Sequence, residues 1–289
     1  MKKLYSGKQL NNPSMLTTLR EFKYREALTP SMASRLHQLE LQDQALKQLL
    51  SLINNHSENN WLVLTDLSFN LATHQRCDIV LITQTGVYFI QNNLTKNESI
   101  IETITIAHNI YFHYENTLKE FSPDLPLHGL IVSEEKSALH ALSESIKVLD
   151  FTEFETLIEE LAQQEVNALA PFDEMNEIAK RLLAHDAYRV PDPFHFDRPS
   201  FDSVKKGLKC AECQSFDLKR DDDDFVCACG YEEPCNLAIL RTINEYQLLF
   251  GKRNKNTDAI YAFMNGDIPR NYIEEVLEKD ILTTFCKVC

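Results

Sequence analysis

The sequence predicts an α/β protein with a mixed sheet flanked by helices, followed by a small cysteine-rich module and a helical tail. Three observations carry this. A helical pattern precedes a block of short β-branched runs, helical and strand-like patterns alternate after it, and four cysteines in two close pairs interrupt the chain near residue 210. The 289 residues are 44% apolar and 25% charged, with only 7 glycines and 10 prolines, so there is enough chain for one large or two to three small domains.

Residues 1–14 are polar and read as a loose arm. From Thr17 to Ile53 the pattern is helical, with Leu36, Leu39, Ala45, Leu46, Leu49, Leu50 and Ile53 at three- and four-residue steps. A polar break follows at 54–60. Strand-like runs are WLVLTDLSFNL (61–71), CDIVLIT (77–83), VYFIQ (87–91) and IIETITIA (100–107), separated by turn residues. Ile110 to Phe121 reads as a helix, LHGLIVS (127–133) as a strand, and KVLDF (147–151) as a short one. Phe154 to Leu161 and Glu174 to His185 are helical with acidic outer faces, the second with Asp173 as its cap after Pro171. Residues 190–203 hold three prolines without a period and read as a linker.

These elements divide the chain into an arm and helix (1–35), an α/β domain (36–165), a helix and Pro-containing linker (166–206), a cysteine module (207–235) and a helical tail (236–289). No run approaches the roughly 18 apolar residues of a membrane span, and the N-terminus lacks the apolar stretch of a secretory signal. A cytoplasmic protein with no membrane partner and no small-molecule cofactor is expected.

The net charge is −14. Residues 134–206 carry 8 Lys/Arg against 16 Asp/Glu and residues 207–289 carry 10 against 15, whereas residues 1–133 are nearly balanced at 11 against 12. Non-specific nucleic-acid binding is mostly phosphate electrostatics, so this balance excludes a broad DNA-coating role while leaving room for a local basic groove.

In CAECQSFDLKRDDDDFVCACG, Cys210 and Cys213 form one pair and, after thirteen intervening residues, Cys227 and Cys229 form another. Two closely spaced pairs on two knuckles supply the four thiolates of a tetrahedral structural zinc site. Gly230 lets the second knuckle turn tightly, and binding would supply much of the folding free energy of so small a module. The C-x-C spacing of the second pair leaves Cys235 as a substitute ligand. Cys286 and Cys289 make a further C-x-x-C that is only half a site. Cys77 reads as a small buried apolar residue, and Asp221–Asp224 as the solvated turn between the knuckles.

HQRCDIVLITQTGVYFIQNNL (74–94) reads as a hairpin turning at Gln84-Thr85-Gly86. Together with LTDLSFN (64–70), it resembles the NERD (nuclease-related) domain found in Bacillus-like bacteria, within the PD-(D/E)xK nuclease-like superfamily. PLHGLIVSEE (126–135), the cysteine pairs with FVCACG and the helical tail extend the resemblance over most of the chain. It implies a restriction-endonuclease-like core and a role in DNA processing.

On that resemblance Asp78 falls on the family's metal-binding aspartate, Gln91 on its glutamate and Asn93 on its lysine. Asp43, after Gln42, is the counterpart of an upstream helical acid. Gln91 removes a carboxylate on which Mg²⁺ binding depends, and Asn93 removes the cation that orients the attacking water. Lys96 and Glu98 lie in a polar loop just past the strand. The expectation is a catalytically degenerate member that binds nucleic acid or a protein. The alternative is an active Mg²⁺-dependent DNA nuclease with a rearranged site, and a third reading is recruitment through the acidic helices at 150–185.

In the tail, Ala238–Phe250 is amphipathic. Thr257 is placed to cap a short helix to Phe263, and Pro269 to start another after the Asn265-Gly266-Asp267 turn. The outline is that of a helix-turn-helix, but Glu274, Glu275 and Glu278 make the second helix a poor groove ligand. A helical packing module is expected, with Lys252, Arg253 and Lys255 as the better phosphate-binding candidates.

Overall fold

The computed structural model describes residues 4–6, 15–56, 60–69, 75–95, 99–134, 146–164, 172–184, 197–251 and 256–285. The chain forms two compact units, residues 1–12 with 37–193 and residues 13–36 with 194–289. None of the described helices is long and apolar enough to cross a membrane.

The first unit holds a six-stranded mixed sheet in sequential order: β1 (Leu4–Ser6), β2 (Leu62–Phe69), β3 (Gln75–Ile82), β4 (Val87–Asn93), β5 (Leu127–Ser133) and β6 (Ile146–Leu149). β2, β3 and β4 are antiparallel, while β1 runs parallel to β2, and β4, β5 and β6 run parallel to one another. The hairpin turns where the sequence places it. Thr83 Oγ1 accepts the N–H groups of Thr85 and Gly86, closing a compact loop.

Both sheet faces are covered. Helices α3 (Ile100–Phe121) and α5 (Phe172–Ala184) bury Ile110, Tyr114, Leu118, Met175, Ile178 and Leu182 against Leu62, Leu64, Val80, Ile82 and Phe89. On the other face, α2 (Pro30–Asn55) and α4 (Phe151–Gln164) bury Leu49, Ile53, Phe154, Ile158 and Leu161 against Val63, Ile79, Leu81, Ile90 and Val132. Strands buried on both faces read as continuous apolar runs, as CDIVLI and VYFI do.

Several expectations need correction. Residues 100–107 are the first half of α3, not a strand. Ser99 and Glu102 make a capping box, and Ile100, Ile104 and Ala107 recur at helical spacing to pack on Ile131, Ile146 and Val148, so burial overrides β-branched propensity. α5 begins at Phe172, with Asp173 inside its first turn rather than capping it. It belongs to the sheet core instead of to a linker segment.

The second unit gathers α1 (Met15–Tyr24), a three-stranded antiparallel sheet of β7 (Leu218–Asp221), β8 (Asp224–Cys227) and β9 (Glu232–Pro234), and helices α6 (Cys235–Phe250), α7 (Thr257–Phe263) and α8 (Arg270–Phe285). The N-terminal helix expected to form an arm domain of its own therefore belongs with the cysteine module. Between α1 and α2 the chain turns through Glu26 at φ 57, and Thr29 caps α2 by accepting the Met32 N–H ahead of Pro30. Residues 197–206 are not a free linker either. Arg198 donates to the Leu249 carbonyl at 2.7 Å, and Phe201 packs with Tyr246, Phe250 and Phe263. Asn256, not Thr257, caps α7, its side chain accepting from Ala259 N–H.

Candidate functional site

The Sγ atoms of Cys210, Cys213, Cys227 and Cys229 all lie within 4.8 Å of one another. Cys210 and Cys229 are 3.7 Å apart, and Cys213 and Cys227 are 3.5 Å apart. A tetrahedron of thiolates on zinc at 2.3 Å has edges of about 3.8 Å, so the four cysteines could bind such a metal. Among the described residues this is the only group of three or more His, Cys, Asp or Glu arranged to hold an ion.

The two knuckles use one backbone scheme. In the first, Gln214 N–H donates to Cys210 O and Cys210 N–H donates to Ser215 O. In the second, Gly230 N–H donates to Cys227 O and Cys227 N–H to Tyr231 O. Gln214 and Gly230 both adopt positive φ, at 62° and 90°. Burial pushes the Cys210 thiol up, but the Cys213 and Glu212 N–H groups and neighbouring thiols bring it down to about 7. Asp222 and Asp223 turn the exposed β7–β8 hairpin as expected, with Asp221 paired to Asp224. Cys235 is buried at the start of α6, outside the cluster, so it is not a substitute ligand. Cys286 and Cys289 lie outside the described residues.

Behind the first knuckle lies a buried ion network that the sequence did not announce. The Arg25 guanidinium, fully buried, donates to Glu21 at 2.7 Å and Glu245 at 2.6 Å. It also donates to the carbonyls of Lys205 and Gly207 and stacks over Phe263 at 4.0 Å. Lys209 Nζ reaches the same two carboxylates at 3.2 and 3.0 Å. Arg241 joins Glu245 to Glu233. Three cations and three anions thus balance, as buried charges require. Burial pushes the Glu245 carboxyl up, but Lys209, Arg25 and Arg241 together hold it below the usual range, whereas burial and the Glu245 charge raise Glu21. Glu21 and Arg25 stand at i and i+4, a signal any surface helix carries. Only the fold brings residues 209 and 245 onto them.

The β3–β4 hairpin brings Asp78, Gln91 and Asn93 to one end of the sheet. Gln91 and Asn93 are buried and two apart, hence on one face. The Gln91 Nε2 amide donates to the Arg76 carbonyl at 2.8 Å, and Asp78 Oδ2 accepts the Asn92 N–H at 2.8 Å. The sequence reading missed Asp66. It sits at φ 59, and the β2–β3 ladder skips it and Asp78 between Thr65↔Ile79 and Leu67↔Cys77. Leu64 and Leu67, and likewise Cys77 and Val80, share one core although three residues apart. Each strand thus slips one residue out of its alternation there. Arg76 bridges the two aspartates, at 3.4 Å to Asp66 and 3.0 Å to Asp78.

Asp43, on α2, pairs with Lys47 one turn on at 2.9 Å and forms no ion-holding group with Asp78. Lys96, Glu98, Lys252, Arg253 and Lys255 lie outside the described residues. Cys77 is fully buried, as expected, and burial followed by the Asp78 charge pushes its thiol up. On α8, Glu274, Glu275 and Glu278 are exposed. Comparison of the chain with family models, with curated proteins and with solved structures finds no match.

Proposed function

We propose that this chain is a nuclease-related (NERD-type) protein whose metal-dependent cleavage has been lost, with a restriction-endonuclease-like core and a zinc ribbon, acting as a nucleic-acid- or protein-binding module in DNA processing. One observation carries the loss of cleavage. At the position where the resemblance calls for a metal-binding glutamate, the Gln91 amide donates a hydrogen bond to a backbone carbonyl. An ionised carboxylate has no proton to donate there, so the hairpin is adapted to the amide. The Asp78 carboxylate is likewise spent on the Asn92 N–H and Arg76. Zinc is the metal that suits four thiolates at these separations.

The alternative, an active Mg²⁺-dependent nuclease with a rearranged site, draws support from Asp66, a second carboxylate brought to Arg76 beside Asp78. A cleavage assay on single- and double-stranded DNA with Mg²⁺ or Mn²⁺ separates the two. No cleavage is expected. Cleavage that disappears in Asp78→Ala refutes the degenerate reading. Fluorescence polarisation at low and moderate salt then identifies the partner class: salt-sensitive binding marks nucleic acid, and its absence a protein.

A further inference from the structure

The two knuckles set the same backbone task at Gln214 and Gly230 but fill it differently. Left-handed φ favours glycine, and a Cβ at Gly230 would meet nothing within 4 Å. The first knuckle nevertheless carries a long side chain there. The Gln214 amide is engaged at both ends: Oε1 accepts from Lys209 Nζ at 2.6 Å, and Nε2 donates to the Ala211 carbonyl, inside the knuckle, at 2.7 Å. Lys209 directly precedes Cys210, is buried, and its Nζ is held by Glu21 of α1 and Glu245 of α6. The result is a continuous chain from two helices, through one ammonium and one amide, into the loop that carries Cys210 and Cys213.

We infer that Lys209 and Gln214 are positioning residues for the metal, and that Glu21 and Glu245 anchor them. The pair fixes the first knuckle before the metal arrives and slows its departure from Cys210 and Cys213. Hydrogen-bonding partners behind metal ligands commonly act this way. The second knuckle has a glycine in the equivalent place, so metal loss should begin at whichever knuckle is less held, and removing the Gln214 amide should make the two alike. This rests on the metal-binding reading of the four cysteines.

The test uses the full chain. Zinc content is measured first, then the rate of zinc transfer to the chromogenic chelator 4-(2-pyridylazo)resorcinol, and the ligand-field absorption of the cobalt-substituted protein. Gln214→Gly keeps the left-handed backbone without strain, so the chain should still fold and bind stoichiometric zinc. Its zinc transfer should be about tenfold faster, and its cobalt bands should broaden. Glu21→Gln, remote in sequence, should also speed transfer. Wild-type transfer rates and cobalt bands in Gln214→Gly overturn this inference alone. A wild-type chain without stoichiometric zinc overturns both the inference and the metal reading.

Discussion

Replacing Arg25 with methionine should destabilise the second unit severely. The guanidinium is fully buried and makes hydrogen bonds to Glu21, Glu245 and the carbonyls of Lys205 and Gly207. Methionine fills much of the volume and keeps contact with Phe263, so the cost is electrostatic rather than a cavity. Removing one partner of a buried ion pair costs about 3–5 kcal/mol, because the remaining charge has no compensation. For a unit of this size that corresponds to a fall in Tm of roughly 10–20 °C. Arg25→Met leaves Lys209 and Arg241 against Glu21, Glu233 and Glu245, an excess of one buried negative charge. Adding Glu245→Leu restores the balance, with Lys209 on Glu21 and Arg241 on Glu233. The double variant should therefore lose less than the sum of the singles by about 1 kcal/mol or more. Differential scanning calorimetry of the three variants and wild type, with zinc in excess, measures this. An Arg25→Met midpoint within about 2 °C of wild type, well short of the fall expected from uncompensated burial, would refute the reasoning.

Metal analysis should find one zinc per chain, lost in Cys210→Ser with Cys213→Ser and retained in Cys235→Ser, since Cys235 stands outside the cluster. His128, half-buried and stacked on Tyr88 at 4.7 Å, is held below the ordinary imidazole range by burial and by Lys147. Below pH ~6.5 the unfolded chain then binds more protons than the folded one, so stability falls as pH drops through that range. His128→Phe should flatten the pH dependence of Tm between neutral and mildly acidic buffer, and an unchanged slope counts against the assignment. Ser99→Ala removes the side-chain half of the α3 capping box, in which Ser99 Oγ accepts the Ile101 N–H, and leaves the backbone N–H donation to Glu102; it should cost about 1 kcal/mol in urea unfolding.

What was legible in the sequence is what depends on neighbours along the chain. The two apolar runs of the hairpin and their turn, the strand at 127–133, the long helix ending near Ile53 and the paired cysteines all carry their information within a few residues. Strand alternation, helical spacing and ligand spacing are local rules. Local rules failed at 100–107, where isoleucines suit either element. The Ser99–Glu102 box and the packing of Ile100 and Ile104 onto β5 and β6 decide for helix.

Long-range burial decided the rest. Lys209 and Glu245 look like ordinary surface charges until α1 and α6 bring Glu21 and Arg25 beside them, and a charge leaves water only where its partners already wait. Asp66 reads as one polar residue in an alternating strand until the β2–β3 ladder slips and turns it, with Asp78, onto Arg76. By itself the sequence determined strands β2 to β6, most of the helices and the four sulfurs, but not β1, which lies in the stretch expected to be a loose arm. The tertiary structure alone decided which charges are buried, because desolvation depends on what every other segment covers.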